Sequence, residues 1–168
     1  YRIPARGLIG FSNEFLNLTR GSGLISNIFD SYEPHKGEIA GRKNGVLISM
    51  DDGEIFTYAL GKLDDRGRMF VRANDPVYEG MIVGENARGE DMDVNICREK
   101  KLTNMRASGS DENEKLIPPK ILNLEQALEY CREDECVEVT PVSVRIRKVV
   151  LDQNERSRAT ARAKKAND

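Results

Sequence analysis

Lys100, Lys101 and Arg106 fall close together in the stretch "KKLTNMRASGSDENEK", with Thr103, Asn104, Ser108 and Ser110 set among them. Ammonium and guanidinium groups attract phosphate. Small polar side chains hydrogen-bond phosphate and sugar oxygens, and Arg also stacks on an exposed base. Met105 adds a flexible apolar tip able to pack on a base or ribose. Polyanion binding is therefore the chemistry this stretch can perform. The alternative is a solvated surface loop with Met105 folded back on the core. Arg145 and Arg147 form a second set, two residues apart, and Arg158, Arg162 and Lys165 a third, at spacings of four and three.

Catalytic sets are harder to find. The chain has no G-x-x-x-x-G-K-[ST] motif to cradle a nucleotide phosphate, and the glycines of "RGSGL" read as a helix end and a turn. His35 is the one histidine, so a Ser-His-Asp or Cys-His arrangement would need it as base; beside Pro34 and Gly37 it reads as an exposed hinge residue. One histidine and no clustered cysteines argue against structural zinc. Asp51-Asp52 and Asp64-Asp65 sit in turn-like contexts, and "DENE" lacks the spacing of a calcium loop. No enzyme complete within these residues is expected, and no cofactor or metal.

The bulk numbers agree with a binding role. A hydrophobic fraction of 39% beside 32% charged residues reads as soluble and globular. No apolar run approaches the roughly 18 residues needed to span a bilayer. Cys97, Cys131 and Cys136 are an odd set without a CxxC, which suggests free thiols in a reducing compartment and a cytoplasmic location. Net charge is −2, but residues 141–168 hold eight basic and three acidic side chains, whereas residues 84–140 hold eight and fourteen. Local potential governs association, so the basic end is either a polyanion contact or a solubilising tail.

The elements that must position these groups can be read from period and punctuation. Pro4 opens a helix expected to run to about Thr19, with Leu8, Phe11, Phe15 and Leu18 on one face and Gly21 past its end. "GSGLISNIFDSYEP" is strand-like through Ile28-Phe29. The first 35 or so residues thus look like the remnant of an α+β domain, and a first residue that is Tyr rather than Met reads as a piece of a longer polypeptide. From residue 36 the texture becomes β-rich. "GVLISM" and "EIFTYAL" suggest a hairpin turning at Asp51-Asp52-Gly53, although Tyr58–Leu63 equally suits a short helix. "RMFVRA", "MIVGEN" and "DVNICR" are further short strands, which together predict a mainly antiparallel, barrel-like domain.

From Glu99 to Lys120 no period holds, and a structureless segment of that length is usually functional or disordered. Asn123 and Gln126 then form a capping box for a helix "LEQALEYC" whose buried stripe would be Leu124, Ala127, Leu128 and Cys131. Strands "CVEVT" and "VSVRIRKVV" follow. In the second, Val142, Val144 and Ile146 share one face, and Ser143, Arg145 and Arg147 the other. Asp152 with Glu155 offers a second capping box for a helix over 153–165, within a basic tail at about 152–168, placing Arg158, Arg162 and Lys165 on one face.

Five of these segments, "ARGLIGFSNEFLNLTRGSG", "VYEGMIVGEN", "KKLTNMRASGSDE", "LEQALEY" and "VEVTPVSVRIRK", occur in an order that closely resembles the C-terminal part of the BipA/TypA family of translational GTPases. The resemblance spans essentially the whole chain. It implies that residues 1–35 end a ferredoxin-like domain similar to domain V of elongation factor G, and that residues 36–168 are the family's own C-terminal domain. It further implies a monomeric ribosome-binding module acting in stress-responsive translation and large-subunit assembly, with GTP and Mg in an upstream domain. Expected partners are large-subunit rRNA in the A-site region and the tRNA acceptor end, not DNA or membrane. Lys100, Lys101, Thr103, Asn104, Met105, Arg106 and Ser108 match the family's long loop and carry the expectation of RNA contact. The chain departs from the family pattern at Val142, where a lysine is common, and at Val149-Val150, where basic or aromatic residues are. Fewer cations therefore flank Arg145 and Arg147. A protein–protein module whose acidic middle docks a basic ribosomal protein or assembly factor is the alternative.

Overall fold

The computed structural model describes residues 1–8, 11–37, 42–99 and 116–167. The chain divides into two compact units, Tyr1–Gly41 and Arg42–Asp168.

In the first unit a 3-10 turn at Ala5–Leu8 precedes helix α1 (Phe11–Leu18). Phe11 and Phe15 meet with ring centroids 6.0 Å apart, the contact that the i, i+4 spacing predicts. The helix closes in a Schellman pattern: the Gly21 N–H donates to the Leu16 carbonyl at 2.7 Å and the Arg20 N–H to that of Asn17 at 3.2 Å. Arg20 itself takes a left-handed conformation (φ 52°), so the turn does not rest on Gly21 alone. The strand expected through Ile28-Phe29 is not formed. Residues 22–37 carry no regular element, and Ile28 is 93% exposed. A strand exists only through a ladder to a neighbour, and among the described residues of this unit there is none.

The second unit is built on one six-stranded sheet in the order β6-β1-β5-β8-β7, from β1 (Val46–Ser49), β5 (Met81–Asn86), β6 (Met92–Val94), β7 (Glu135–Val139) and β8 (Val144–Lys148). The sixth strand, β3 (Gly67–Met69), pairs with the far half of β5, opposite Gly84–Asn86, while β8 takes Met81 and Ile82. All pairings are antiparallel except β1 with β6. The class is thus α+β on a mainly antiparallel sheet, as expected; among the described residues the sheet ends at β6 and β7 and does not close into a barrel.

The expected hairpin is replaced. "GVLISM" pairs with β5 and β6, while the turn at Asp51-Asp52 leads into the two-residue β2 (Gly53–Glu54), which pairs with β4 (Pro76–Val77). Residues Thr57–Leu63 take the helical alternative as α2. Burying Ala59 and Leu60 against the sheet decides the matter, since those positions are adjacent on a helix but point oppositely on a strand. "RMFVRA" pairs only through Met69 before leaving the ladder.

Alternation along the central strands creates two cores. Leu47, Met81 and Val83 face one side, where Leu60, Ile55 and Val94 join them; Val46, Ile48, Ile82 and Ile146 face the other, under α3 (Leu124–Tyr130). The capping box at Asn123 and Gln126 is present, with the Gln126 N–H donating to Asn123 Oδ1 at 2.8 Å. The buried stripe of α3 differs from expectation. Ala127 is fully buried and Tyr130 and Cys131 pack beside it, whereas Leu124 and Leu128 are 43% and 59% exposed. Val142 also falls outside the sheet: β8 begins at Val144, and Val142 is 94% exposed.

Gly80 joins this sheet to the tail. Its φ of +83° suits glycine, and a Cβ there would lie 2.7 Å from Leu151 Cα. The Gly80 N–H donates to Ser49 O and its carbonyl accepts from the Lys148 N–H, both at 2.9 Å. The chain then enters α4 (Gln153–Asn167), where Asp152 Oδ1 accepts the Glu155 N–H at 2.7 Å, the expected cap.

Candidate nucleic-acid interface

Lys100, Lys101, Thr103, Asn104, Met105, Arg106 and Ser108 lie outside the described residues. The two ends from which their segment springs are held firmly. On one side Ile96 is fully buried, and its carbonyl accepts the Phe56 N–H at 3.2 Å. On the other, Leu116 packs on the α2-side core, Ile117 N–H donates to Asp64 at 3.3 Å and Lys120 N–H donates to Met69 O at 2.8 Å. Leu122 then packs against the opposite core, so residues 116–122 wrap the β3 edge from one face of the sheet to the other.

Arg145 and Arg147 project from β8 on the face opposite Ile146, as the alternation predicts. Neither is a bare cation on an empty surface. Arg145 stands opposite Glu138 in the register, and Arg147 Nε lies 3.9 Å from the Glu138 carboxylate. Glu138 also accepts the Tyr78 hydroxyl; burial first, then that bond and the carboxylate's charge, push the Tyr78 phenol well above its ordinary range.

Arg158, Arg162 and Lys165 are exposed along one face of α4. The start of this helix is anchored: Gln153 N–H donates to Glu79 Oε1 at 2.9 Å, and Arg156 pairs with Asp93 while donating to the carbonyls of Val150 and Leu151. The strand arginines and the helix cations lie on different elements, β8 and α4.

A buried charge cluster escaped the sequence reading altogether. Lys148, 2% exposed, places its Nζ 2.6 Å from Asp91, 2.6 Å from Asp134 and 3.0 Å from Glu135. Arg42 grips the same Glu135 with two hydrogen bonds of 2.9 and 2.6 Å, lies 4.3 Å from the Tyr130 ring centroid, and donates to the Tyr130 carbonyl at 2.9 Å. Burial works to raise the Glu135 carboxyl, but the bonds from Arg42 and Lys148 outweigh it and hold its pKa below the ordinary value. Burial likewise works to lower Lys148, and its bonds to Asp134, Asp91 and Glu135 reverse that. Asp91, Asp134 and Glu135 are close enough to hold a cation, and the Lys148 ammonium already occupies their centre. The available signal was parity: Lys148 shares the inward face of β8 with Val144 and Ile146.

The cysteines and the histidine are the remaining candidate reactive groups. All three cysteines are free, and burial pushes the Cys131 thiol up to about 11, which is opposite to nucleophile activation. His35 is exposed and its Nδ1 accepts the Gly37 N–H at 3.2 Å. No helix among the described residues is long and apolar enough to cross a membrane.

Residues 44–153 match the model of the TypA/BipA C-terminal domain. A large ribosomal subunit assembly factor BipA of Bacillus subtilis (strain 168) is 46% identical over 167 residues, covering 99% of this chain and 27% of that protein. Proteins of the same name from Salmonella typhimurium and Haemophilus influenzae are each 51% identical over 160 residues, covering 95% of this chain and 26% of theirs. The chain therefore spans about a quarter of the length of these relatives. The matched span takes in the whole β sheet, the held ends of the 100–115 segment, Arg145, Arg147 and the buried charge cluster except Arg42, and on this similarity the chain belongs to the TypA/BipA family, as part of its C-terminal region.

Proposed function

We propose that this chain is a ribosome-contacting module of a translational GTPase, working in the cytoplasm in large-subunit assembly and stress-responsive translation. It performs no hydrolysis itself; GTP and Mg belong to a part of the parent protein outside the chain. The partners are large-subunit rRNA near the A site and the tRNA acceptor end, engaged by a monomer. The observation that carries this reading is the 46–51% identity to relatives named large ribosomal subunit assembly factors. Physical support comes from the cations of residues 100–106, which lie between two tightly held ends, and from the exposed face of α4.

The test is co-sedimentation with large subunits across a salt series. With about three loop cations each neutralising a phosphate, the plot of log affinity against log salt carries a contribution of about −2 to −3 from the loop. Lys101→Glu combined with Arg106→Glu is expected to abolish association with little change in melting temperature. Full association by that variant would contradict the loop assignment.

One observation favours a second reading. The outer face of α3 exposes Leu124 and Leu128 beside the exposed Glu125 and Glu129, a surface suited to a basic, apolar segment of a ribosomal protein or assembly factor. Loss of association in Leu128→Asp, with the loop variant binding normally, would favour it.

A further inference from the structure

A groove of about 480 Å³ opens between α2 and β6, at the edge of the sheet. Its base is formed by the buried Ala59 and Val94. Tyr58 and Lys62, one turn apart on α2, and Arg66 just beyond line one side; Asn95 and Arg98, following β6, line the other. Lys62 Nζ lies 5.7 Å from the Tyr58 ring centroid, so ring and cation are presented together. The described ion pairs of this unit engage Arg42, Arg147, Lys148 and Arg156, and none among the described residues engages Lys62 or Arg66. Two neighbouring carboxylates accept hydrogen bonds from neutral groups: Asp64 from the Ile117 N–H, and Asp51 from the Asn95 side-chain amide. That bond uses the Asn95 amide N–H and leaves its side-chain oxygen as an acceptor.

An aromatic face over an apolar base, with cations spaced along both walls, is the combination that holds single-stranded nucleic acid: stacking takes the base and the cations track the backbone. We propose that this groove binds one unstacked nucleotide of a single-stranded RNA segment, the base against Tyr58 and the adjoining phosphates on Lys62, Arg66 and Arg98. Lys62 and Arg66 stand on one side and Arg98 on the other, which offers an RNA backbone more than one cation. In sequence, Arg98 stands two residues before Lys100, the first of the cations for which RNA contact is proposed. The inference rests on the ribosomal reading above and assigns it a second point of contact.

The test is fluorescence anisotropy of the full chain with a labelled, unstructured RNA of about 10 nucleotides, within the span such grooves cover. Three variants are compared: Tyr58→Leu, Lys62→Gln with Arg66→Gln, and Lys101→Gln with Arg106→Gln. Tyr58→Leu is expected to weaken binding roughly 5- to 150-fold, the range for losing one stacked base. The Lys62/Arg66 pair is expected to reduce the salt slope by about 1.4, as for two phosphates released from a single strand. Both of these residues are exposed, so that result stands even where Tyr58→Leu lowers the melting temperature. Wild-type binding by both groove variants, with affinity lost in the loop variant, would overturn the groove and leave the ribosomal reading intact. Wild-type binding by all three would remove both. Competition by a free mononucleotide at the same concentration as the oligomer would make the groove a mononucleotide site and overturn the RNA assignment.

Discussion

Residues 141–168 contain eight cations, and among those that the structure describes two sets stand in contrast. Lys148 is buried among Asp91, Asp134 and Glu135, with Arg42 completing the network from the start of the second unit. Arg158, Arg162 and Lys165 stand on the exposed face of α4, where solvent and salt reach them freely. A run of positive charge in sequence therefore sums groups with opposite tasks. The first kind closes the rim of the α3-side core, because a buried ion is tolerated only when its partners satisfy it. The second kind contributes little to folding and is left available to a polyanion.

The largest effect separating the two is stability. Lys148→Met leaves Glu135 and its neighbours without their central cation, and breaking such a buried network costs about 3–5 kcal/mol, read from the urea midpoint. Exposed substitutions such as Arg158→Gln or Arg162→Gln shift stability by no more than about 0.5 kcal/mol each. A Lys148→Met protein as stable as the wild type would erase the distinction.

Acid should reveal the same cluster with a smaller effect. Glu135 has its folded pKa lowered, so the stability it contributes is complete above the unfolded value of 4.5 and is lost as pH falls through the folded one. Urea midpoints below pH about 4.5 are expected to drop in the wild type with a slope of up to about 1.4 kcal/mol per pH unit from this group. Glu135→Gln should lose that component. Lys148 acts at the other extreme: its folded pKa is raised, so its contribution is present below 10.5 and fades only at more alkaline pH. Across neutral pH the cluster is insensitive.

Smaller still is the effect of the strand arginines on folding. Arg147 shares a half-exposed carboxylate at 3.9 Å, so Arg147→Gln is expected to cost less than about 1 kcal/mol. Its influence should appear instead in the salt dependence of RNA binding, and an unchanged salt slope would place it with Lys148 as a structural cation.

What was legible in the sequence follows from the range of the interactions involved. The capping box at Asn123, the cap at Asp152 and the alternation of β8 are decided within a few residues, and each is present as expected. The hairpin at Asp51-Gly53 misled because β1 finds its partners at Gly84 and Met92, far along the chain, while β2 and β4 are only two residues each. Helix α2 was decided by which residues the sheet covers, which local propensity does not record. The same holds for the site. The cations of residues 100–106 were visible as types and spacing, whereas the Lys148 cluster draws on Asp91, Asp134 and Arg42 from three distant segments. The groove beside α2 likewise brings Tyr58 and Arg98 together only through the packing of α2 next to β6.

The most direct test of the ribosomal reading is a photo-crosslinker placed at position 105, with the full chain bound to large ribosomal subunits and the modified nucleotides mapped. The account predicts crosslinks confined to rRNA of the A-site region, or to the acceptor end of a bound tRNA, and lost when Lys101 and Arg106 are both replaced by Glu. Crosslinks scattered over surface helices of the subunit, or falling on ribosomal proteins alone, would contradict it.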